Sequence, residues 1–299
     1  MRGARPLAAI ERHLEEGSVA SDDATLLVAC SGGPDSVALG GLMARLAPKH
    51  RWRVVLGHVN HHVRESSWQD ECIVLAAGSR LGLPVRVAAL RPPAGPAGRA
   101  EAALRERRYA ALAGLAAAEG ARTVLTAHTA EDQTESVLLA LFRGTGLRGL
   151  SGIPPRRPLG PGVELVRPLL RIARRALHAE LAAGLLPYVR DPTNDDLAYR
   201  RNAVRAALRG LREQFPRLDE AVARCAAIVA DELEGVPRSA ARRRLRAVLE
   251  EEAGLTDVPF ERIEAALRAR RGRVFVKHGI EVEKRGENAA SPRVVRKRT

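Results

Sequence analysis

The stretch LLVACSGGPDSVALGGLMARL, residues 26–46, decides how this chain is read. An apolar run of strand length stops at a small polar loop, Ser31-Gly32-Gly33-Pro34-Asp35-Ser36, and an apolar run with helical spacing follows. Glycine lets a backbone turn tightly and approach a ligand closely. A helix start adds unpaired N–H donors and a partial positive charge. Together they make an anion cradle suited to phosphate, with the hydroxyls of Ser31 and Ser36 as further donors. Asp35 is out of place there unless it binds Mg²⁺ or acts on the reacting group, since a bare carboxylate repels phosphate. The ordinary alternative is a glycine turn in which Asp35 or Ser36 caps the helix. The loop is neither GxxxxGK[ST], because no lysine follows, nor GxGxxG.

Outward from this loop, the first two-thirds of the chain alternate between short apolar runs and longer helix-spaced segments. The runs are TLLVAC, RVVLGHV, VRVAAL and RTVLTAH; the segments cover 36–46, 68–81, 100–118 and 131–142. Such alternation predicts an α/β, Rossmann-like parallel sheet with helices on both faces, and sites beyond the carboxyl ends of its strands. From 150 to 170 the chain is dense in Pro and Gly and predicts a loop carrying one short strand. Helical spacing returns over 171–185, and a basic helix follows from 197. The expected division is a larger domain over 1–215 and a smaller, mainly helical domain over 216–299. The second part holds the run Arg242-Arg243-Arg244, a strand RVFVKHG and a tail, SPRVVRKRT, with four basic residues and no acid, which reads as a solvated end or as a specific contact.

Composition narrows the class. At 299 residues the chain can bury a full core. Its formal net charge of +14 points to an acidic partner, nucleic acid first. The three cysteines are scattered and unpaired by any CxxC, which argues against a disulfide framework, a zinc ribbon or an iron–sulfur site. No run is long and apolar enough for a signal peptide or a membrane span, so a cytoplasmic, reduced protein is expected.

Three further blocks carry chemistry. HVNHHVR, 58–64, follows the second strand, and its histidines read as a metal set or as a polar loop. TAHTAEDQTES, 126–136, ends a strand and starts a helix. Steps of three and four residues relate His128, Asp132 and Glu135, so these groups share one face at the pocket mouth. Acids at a helix start are common for electrostatic reasons alone, which weighs most on Glu131. Arg201, Arg205 and Arg209 align on one helix face suited to a phosphate backbone, or simply to solvent.

As a set the blocks resemble one family. SGGPDS resembles the pyrophosphate loop of the ATP-pyrophosphatase, or PP-loop, superfamily, whose fold is adenine nucleotide alpha hydrolase-like. HVNHHVR, EAALRERRY (101–109), AHTAEDQTES, FRGTGLRGLSGIP (142–154) and DPTN with RRNAVR (191–205) resemble, in order, segments of the tRNA(Ile)-lysidine synthetases. The resemblance covers about residues 24–210, with Glu131 a mild departure in the acid pair. It implies a ligase using ATP, Mg²⁺ and free L-lysine to convert the wobble cytidine of the CAU-anticodon isoleucine tRNA into lysidine through an adenylated cytosine, and it implies a homodimer. ATP is expected on Ser31, Gly32, Gly33, Pro34, Asp35 and Ser36, with His58, Asn60 and His61. Asp35 and Asp132 are the candidates for orienting lysine or serving as base, Asp35 alternatively holding Mg²⁺. Arg105, His128, Arg201 and Arg205 are the expected positive donors toward phosphate, and Glu135 joins the catalytic set. The rivals are a PP-loop tRNA cytidine thiolase, a non-catalytic nucleotide- or RNA-binding protein, and a small-molecule amidotransferase-type synthetase. Thiolation usually needs paired cysteines, which this sequence lacks.

Overall fold

The computed structural model describes residues 6–16, 21–62, 67–92, 101–189, 200–235, 237–255, 258–268, 272–277, 280–284 and 293–296. The DPTN block at 191–194 and residues 63–64 of HVNHHVR lie outside them. The chain divides into two compact units, Met1–Ala226 and Ala227–Thr299.

The first unit is built on a six-stranded sheet. After helix α1 (Pro6–Glu16) come β1 (Thr25–Ala29), α2 (Pro34–His50), β2 (Arg53–Asn60), α3 (Ser67–Leu81), β3 (Val85–Ala89), α4 (Glu101–Ala118), β4 (Thr123–Leu125), α5 (Ala130–Leu141), the single turn α6 (Leu147–Leu150), β5 (Arg156–Gly160), β6 (Val163–Val166), α7 (Arg174–Gly184) and α8 (Arg200–Gln214). Strand order is β3-β2-β1-β4-β6-β5, parallel except for the edge strand β5. The expected single strand in 150–170 is therefore a hairpin, closed at Gly162 (φ +68°). Pro158 cannot donate a ladder hydrogen bond, which suits β5 to an edge.

The apolar strands are buried on both faces because each face is covered. Leu26 and Val28 of β1 pack with Val37, Leu42 and Met43 of α2 and Leu177 of α7. Leu27, between them in sequence, points the other way, to Tyr109, Leu112 and Ala116 of α4. Covering both faces removes the polar alternation a half-exposed strand would show. From β1 the chain winds through β2 and β3 to one side, then crosses to β4 on the other. The carboxyl ends of β1 and β4 thus flank a topological switch point, where such sheets open a crevice.

Helix α9 (Leu218–Glu234) leads into the second unit, which holds α10 (Pro237–Ala253), α11 (Phe260–Arg268) and a three-stranded antiparallel sheet of β7 (Gly272–Lys277), β8 (Ile280–Lys284) and β9 (Arg293–Arg296). Leu245, Leu249, Ile263, Val276 and Val282 form its core. Part of the basic tail is β9, with Val294 opposite Val282. Arg242, the first of the arginine run, is buried between Glu264 and Asp231, each at 2.7 Å, so it serves the fold of this unit.

Candidate active site

The crevice between β1 and β4 holds a cavity of about 540 Å³. One wall is the loop 31–36. Gly32 takes φ +85°, and a Cβ there would lie 3.2 Å from the Asp70 carbonyl oxygen, so glycine is required on two counts. Gly33 is the residue before α2, and Pro34 occupies the first turn with its preset φ. No side chain caps this helix: the Ser36 hydroxyl donates instead to the Gly33 carbonyl (2.9 Å), and Ser31 N–H donates to Ser36 Oγ (3.2 Å). The capping alternative thus fails for Asp35 and Ser36, and the backbone donors at the helix start remain available to an anion.

The opposite wall is a knot of ion pairs. Glu135, fully buried, accepts from Arg201 Nε (2.7 Å) and from Arg205 Nε and Nη2 (2.8 and 3.1 Å). Asp132 Oδ1 accepts from Arg201 (2.9 Å) and Arg174 (3.4 Å), while its Oδ2 accepts from the backbone N–H and hydroxyl of Thr129, the residue before α5 (2.8 and 3.1 Å). Burial opposes charge on Asp132, but Arg174 and Arg201 hold its carboxyl below the usual aspartate range. Glu131 is a helix cap in the other direction: both its oxygens accept from the Arg174 backbone N–H at the start of α7.

Asp35 stands between the two walls. Its Oδ2 accepts from Arg174 Nε (2.8 Å), and His178 Nε2 lies 3.5 Å from its Oδ1. Oδ1 is buried without a hydrogen-bond partner. Burial raises the Asp35 pKa, and the opposing pull of Arg174 does not cancel it.

The structure places the other expected residues as follows. His128 lines the cavity, and burial, aided by Arg167, Arg201 and Arg105, takes its pKa down to about 3 against the pull of Asp132, which favours the neutral ring. Its Nδ1 lies 3.1 Å from the Thr126 hydroxyl. Arg201 and Arg205 reach the cavity already paired with acids, so they form its wall rather than a bare phosphate grip. His58, Asn60 and His61 are not among the lining residues. His58 Nδ1–H donates to the Cys30 carbonyl (2.9 Å), fastening β2 to the residue before the loop. Asn60 donates to Glu71 of α3 (3.3 Å) and accepts from His62 N–H (3.0 Å). Burial, with Arg108 and Arg107 nearby, lowers the His61 pKa to about 4. Arg105 is outside the lining as well, with its guanidinium 5.5 Å from the Tyr109 ring centre; Arg108 and Tyr109 line the cavity in its stead. No trio of potential metal ligands occurs among the described residues.

Sequence reading missed Arg174 and His178. Arg174 joins Asp35, Asp132 and Thr129, and those acids, above all Asp132, raise its pKa. The available signal was position: Arg174 opens the helix that follows strand β6, on the carboxyl side of the sheet where sites collect.

This loop, at this point of this sheet, defines a nucleotide-handling class, and a family model described as the PP-loop domain matches residues 6–211. The tRNA(Ile)-lysidine synthase of Salinispora tropica is 43% identical over 235 residues, covering 76% of this chain and 69% of the relative. That of Ralstonia nicotianae is 39% identical over 252 residues, covering 82% of this chain and 54% of the relative. The chain belongs to the tRNA(Ile)-lysidine synthase family of PP-loop proteins. Against the Salinispora arenicola member it spans 61% of the relative's length, so it matches between about half and two-thirds of several curated relatives. Among solved structures, the U34-tRNA thiolase NcsA of Methanococcus maripaludis with its [4Fe-4S] cluster shares the fold, with a TM-score of 0.61 at 14% identity over 77% of this chain and 78% of that one. Cys30, Cys72 and Cys225 are free thiols, Cys30 buried and the others exposed. No helix among the described residues is long and apolar enough to cross a membrane.

Proposed function

We propose that this chain ligates free L-lysine to the wobble cytidine of the CAU-anticodon isoleucine tRNA, consuming ATP to AMP and pyrophosphate. The carrying observation is that an uncapped, glycine-turned helix start and an unpartnered buried carboxylate oxygen, Asp35 Oδ1, meet in one cavity. Family membership supplies the reaction.

The loop 31–36 binds the phosphates through backbone N–H groups and the Ser31 and Ser36 hydroxyls. The cytosine 2-oxo oxygen attacks the α phosphorus and pyrophosphate leaves. The lysine ε-amine then attacks C2, its proton goes to a carboxylate or solvent, and AMP leaves with the former 2-oxo oxygen. A stacked base is out of reach, so the anticodon nucleotide has to turn out into the cavity. Asp35 is better placed than Asp132 to meet a cation, because Asp132 spends both oxygens on Thr129, Arg174 and Arg201. Asp132, Glu135, Arg201 and Arg205 hold the wall against which the base and lysine are oriented, with neutral His128 as a hydrogen-bonding group.

Mg²⁺ fits Asp35 Oδ1, a hard oxygen without a hydrogen-bond partner, provided phosphate oxygens complete the shell; it would neutralise charge on the departing pyrophosphate. Residues 1–215 form the catalytic part, and 216–299 supply tRNA contact through a basic surface. A homodimer in the cytoplasm completes the reading.

Incubation with ATP, radiolabelled lysine and a panel of transcripts tests it. Label in the CAU-anticodon isoleucine tRNA alone is the expected outcome. Pyrophosphate release without labelled tRNA, or no turnover, overturns it.

A further inference from the structure

Beyond the cavity, the turn after α5 exposes apolar side chains among arginines. Phe142 is 70% exposed, Leu147 60% and Leu141 50%. Arg143 and Arg148 are exposed beside them, without an ion pair among the described residues. No Asp or Glu occurs between Glu135 and Glu164, a stretch that holds four arginines. The chain has few aromatics, 3% in all, so an aromatic left in water on a basic, acid-free loop calls for a partner.

This loop is tied to the cavity at both ends. Phe142 directly follows α5, one helix with Asp132 and Glu135. At about 1.5 Å per residue, it lies roughly 10 Å along the axis from Glu135. At the other end, Ile153 N–H donates to Gln133 Oε1 (2.7 Å), and Gln133 Nε2 donates to the Ser151 and Ile153 carbonyls (3.4 and 3.3 Å). Gly152, at φ +67°, packs on Gln133 so closely that a Cβ would come within 2.8 Å of it. The surface is thus fixed relative to Asp132, which lines the cavity, and to Glu135 buried behind it.

We propose that Phe142 is a stacking platform for an unpaired nucleobase of the RNA substrate, with Arg143 and Arg148 on the adjoining phosphates. The proposal rests on the reading of the chain as a tRNA-modifying enzyme. A planar aromatic offers a π-face that any unstacked base can use, and arginines supply the backbone term. The reading as a tRNA-modifying enzyme favours RNA over a membrane or a protein as the partner of this patch.

The test measures affinity for an anticodon-type stem-loop RNA and for a continuous RNA duplex, using the full chain and the variants F142W, F142L, F142A and R143Q/R148Q. Phe142 is exposed, so its variants should melt with the parent protein. Expected is wild-type loop affinity for F142W and a loss of roughly tenfold or more for F142L and F142A, with duplex affinity unmoved. R143Q/R148Q should weaken both RNAs and lower the salt slope by about 1.5. Loop binding by F142L equal to wild type would overturn the proposal, since leucine keeps the apolar contact and loses the π-face. So would an equal loss for loop and duplex, or self-association of the wild type abolished by F142A, which would make this a contact between copies. If the wild-type protein binds neither RNA, the parent reading falls too; if it labels tRNA while F142A binds normally, only the platform falls.

Discussion

The loop 31–36 and the knot between α5 and α8 line the same cavity, yet they are built on opposite terms. The loop works through backbone: Gly32 at φ +85°, Gly33 before the helix, and N–H groups that no side chain caps. The knot works through side chains: Asp132 and Glu135 against Arg174, Arg201 and Arg205. A backbone site holds its shape with its ligand absent and has unspent donors. A side-chain knot has its charges spent on each other, and its worth lies in what happens when one is removed. Asp35 marks the border, with one oxygen in the knot and one unpartnered.

The comparison breaks first on Glu135. Its truncation to Ala would leave Arg201 and Arg205 side by side without their carboxylate, so a loss of about 3–5 kcal/mol is expected. A denaturant titration that found Glu135→Ala within 1 kcal/mol of the parent, by the ordinary surface standard, would mean the knot is not structural. Asp35→Asn should do the reverse. Burial already disfavours its charge, so the amide should leave the melting temperature equal or higher while turnover falls on the order of 10²–10³. Lysine-incorporation assays beside thermal melts decide this. A paired loss of both would place Asp35 wholly in the knot.

Asp132→Ala falls between. It removes the acceptor of the Thr129 N–H and one partner of two arginines, so both stability and lysine incorporation should drop, stability by about 1–3 kcal/mol. Filter binding should still find tRNA retained. Gly32→Ala sharpens the loop side. A methyl at φ +85°, 3.2 Å from a carbonyl oxygen, strains the turn by about 1–2 kcal/mol and should raise the KM for ATP roughly tenfold, one lost donor's worth. Unchanged KM would show that the cradle does not depend on this turn.

The two walls also differ in how far sequence reveals them. The loop was legible because its chemistry is local: strand, two glycines, proline and helix stand in one run of residues. The doubly covered sheet was legible for the same reason, through continuous apolar runs. The knot was legible only in its members. Arg201 and Arg205 read as a face for phosphate, because helical spacing says which residues share a side and nothing about what faces them. Glu135 faces them from 66 and 70 residues away. Arg174 escaped notice entirely, since its contact with Asp35 spans 139 residues. The HVN block is legible only in part: its polar atoms look like ligand contacts, and His58 spends its Nδ1–H on the Cys30 carbonyl while its Nε2 and His61 Nδ1 are buried without a hydrogen-bond partner.

His128 gives the most specific test. It sits beside the knot, and its pKa of about 3 lies well below the ordinary value near 6.5, chiefly because burial disfavours the imidazolium. The unfolded chain therefore binds this proton more readily than the folded one. Stability is complete above about pH 6.5 and declines as pH falls toward 3, by up to about 1.4 kcal/mol per pH unit. Asp132 adds a decline of the same sign only at lower pH, because the unfolded carboxyl takes up protons near the ordinary aspartate value while the folded one, held lower, keeps its charge. His128→Asn, which keeps a polar group near Thr126 and cannot titrate, should flatten the slope between pH 6.5 and 4.5 and leave the steeper fall below pH 4 in place. Urea midpoints measured across that range read the difference directly. Parallel curves for the two proteins would mean that His128 is charged in the folded state, and the neutral ring assigned to this wall would be wrong.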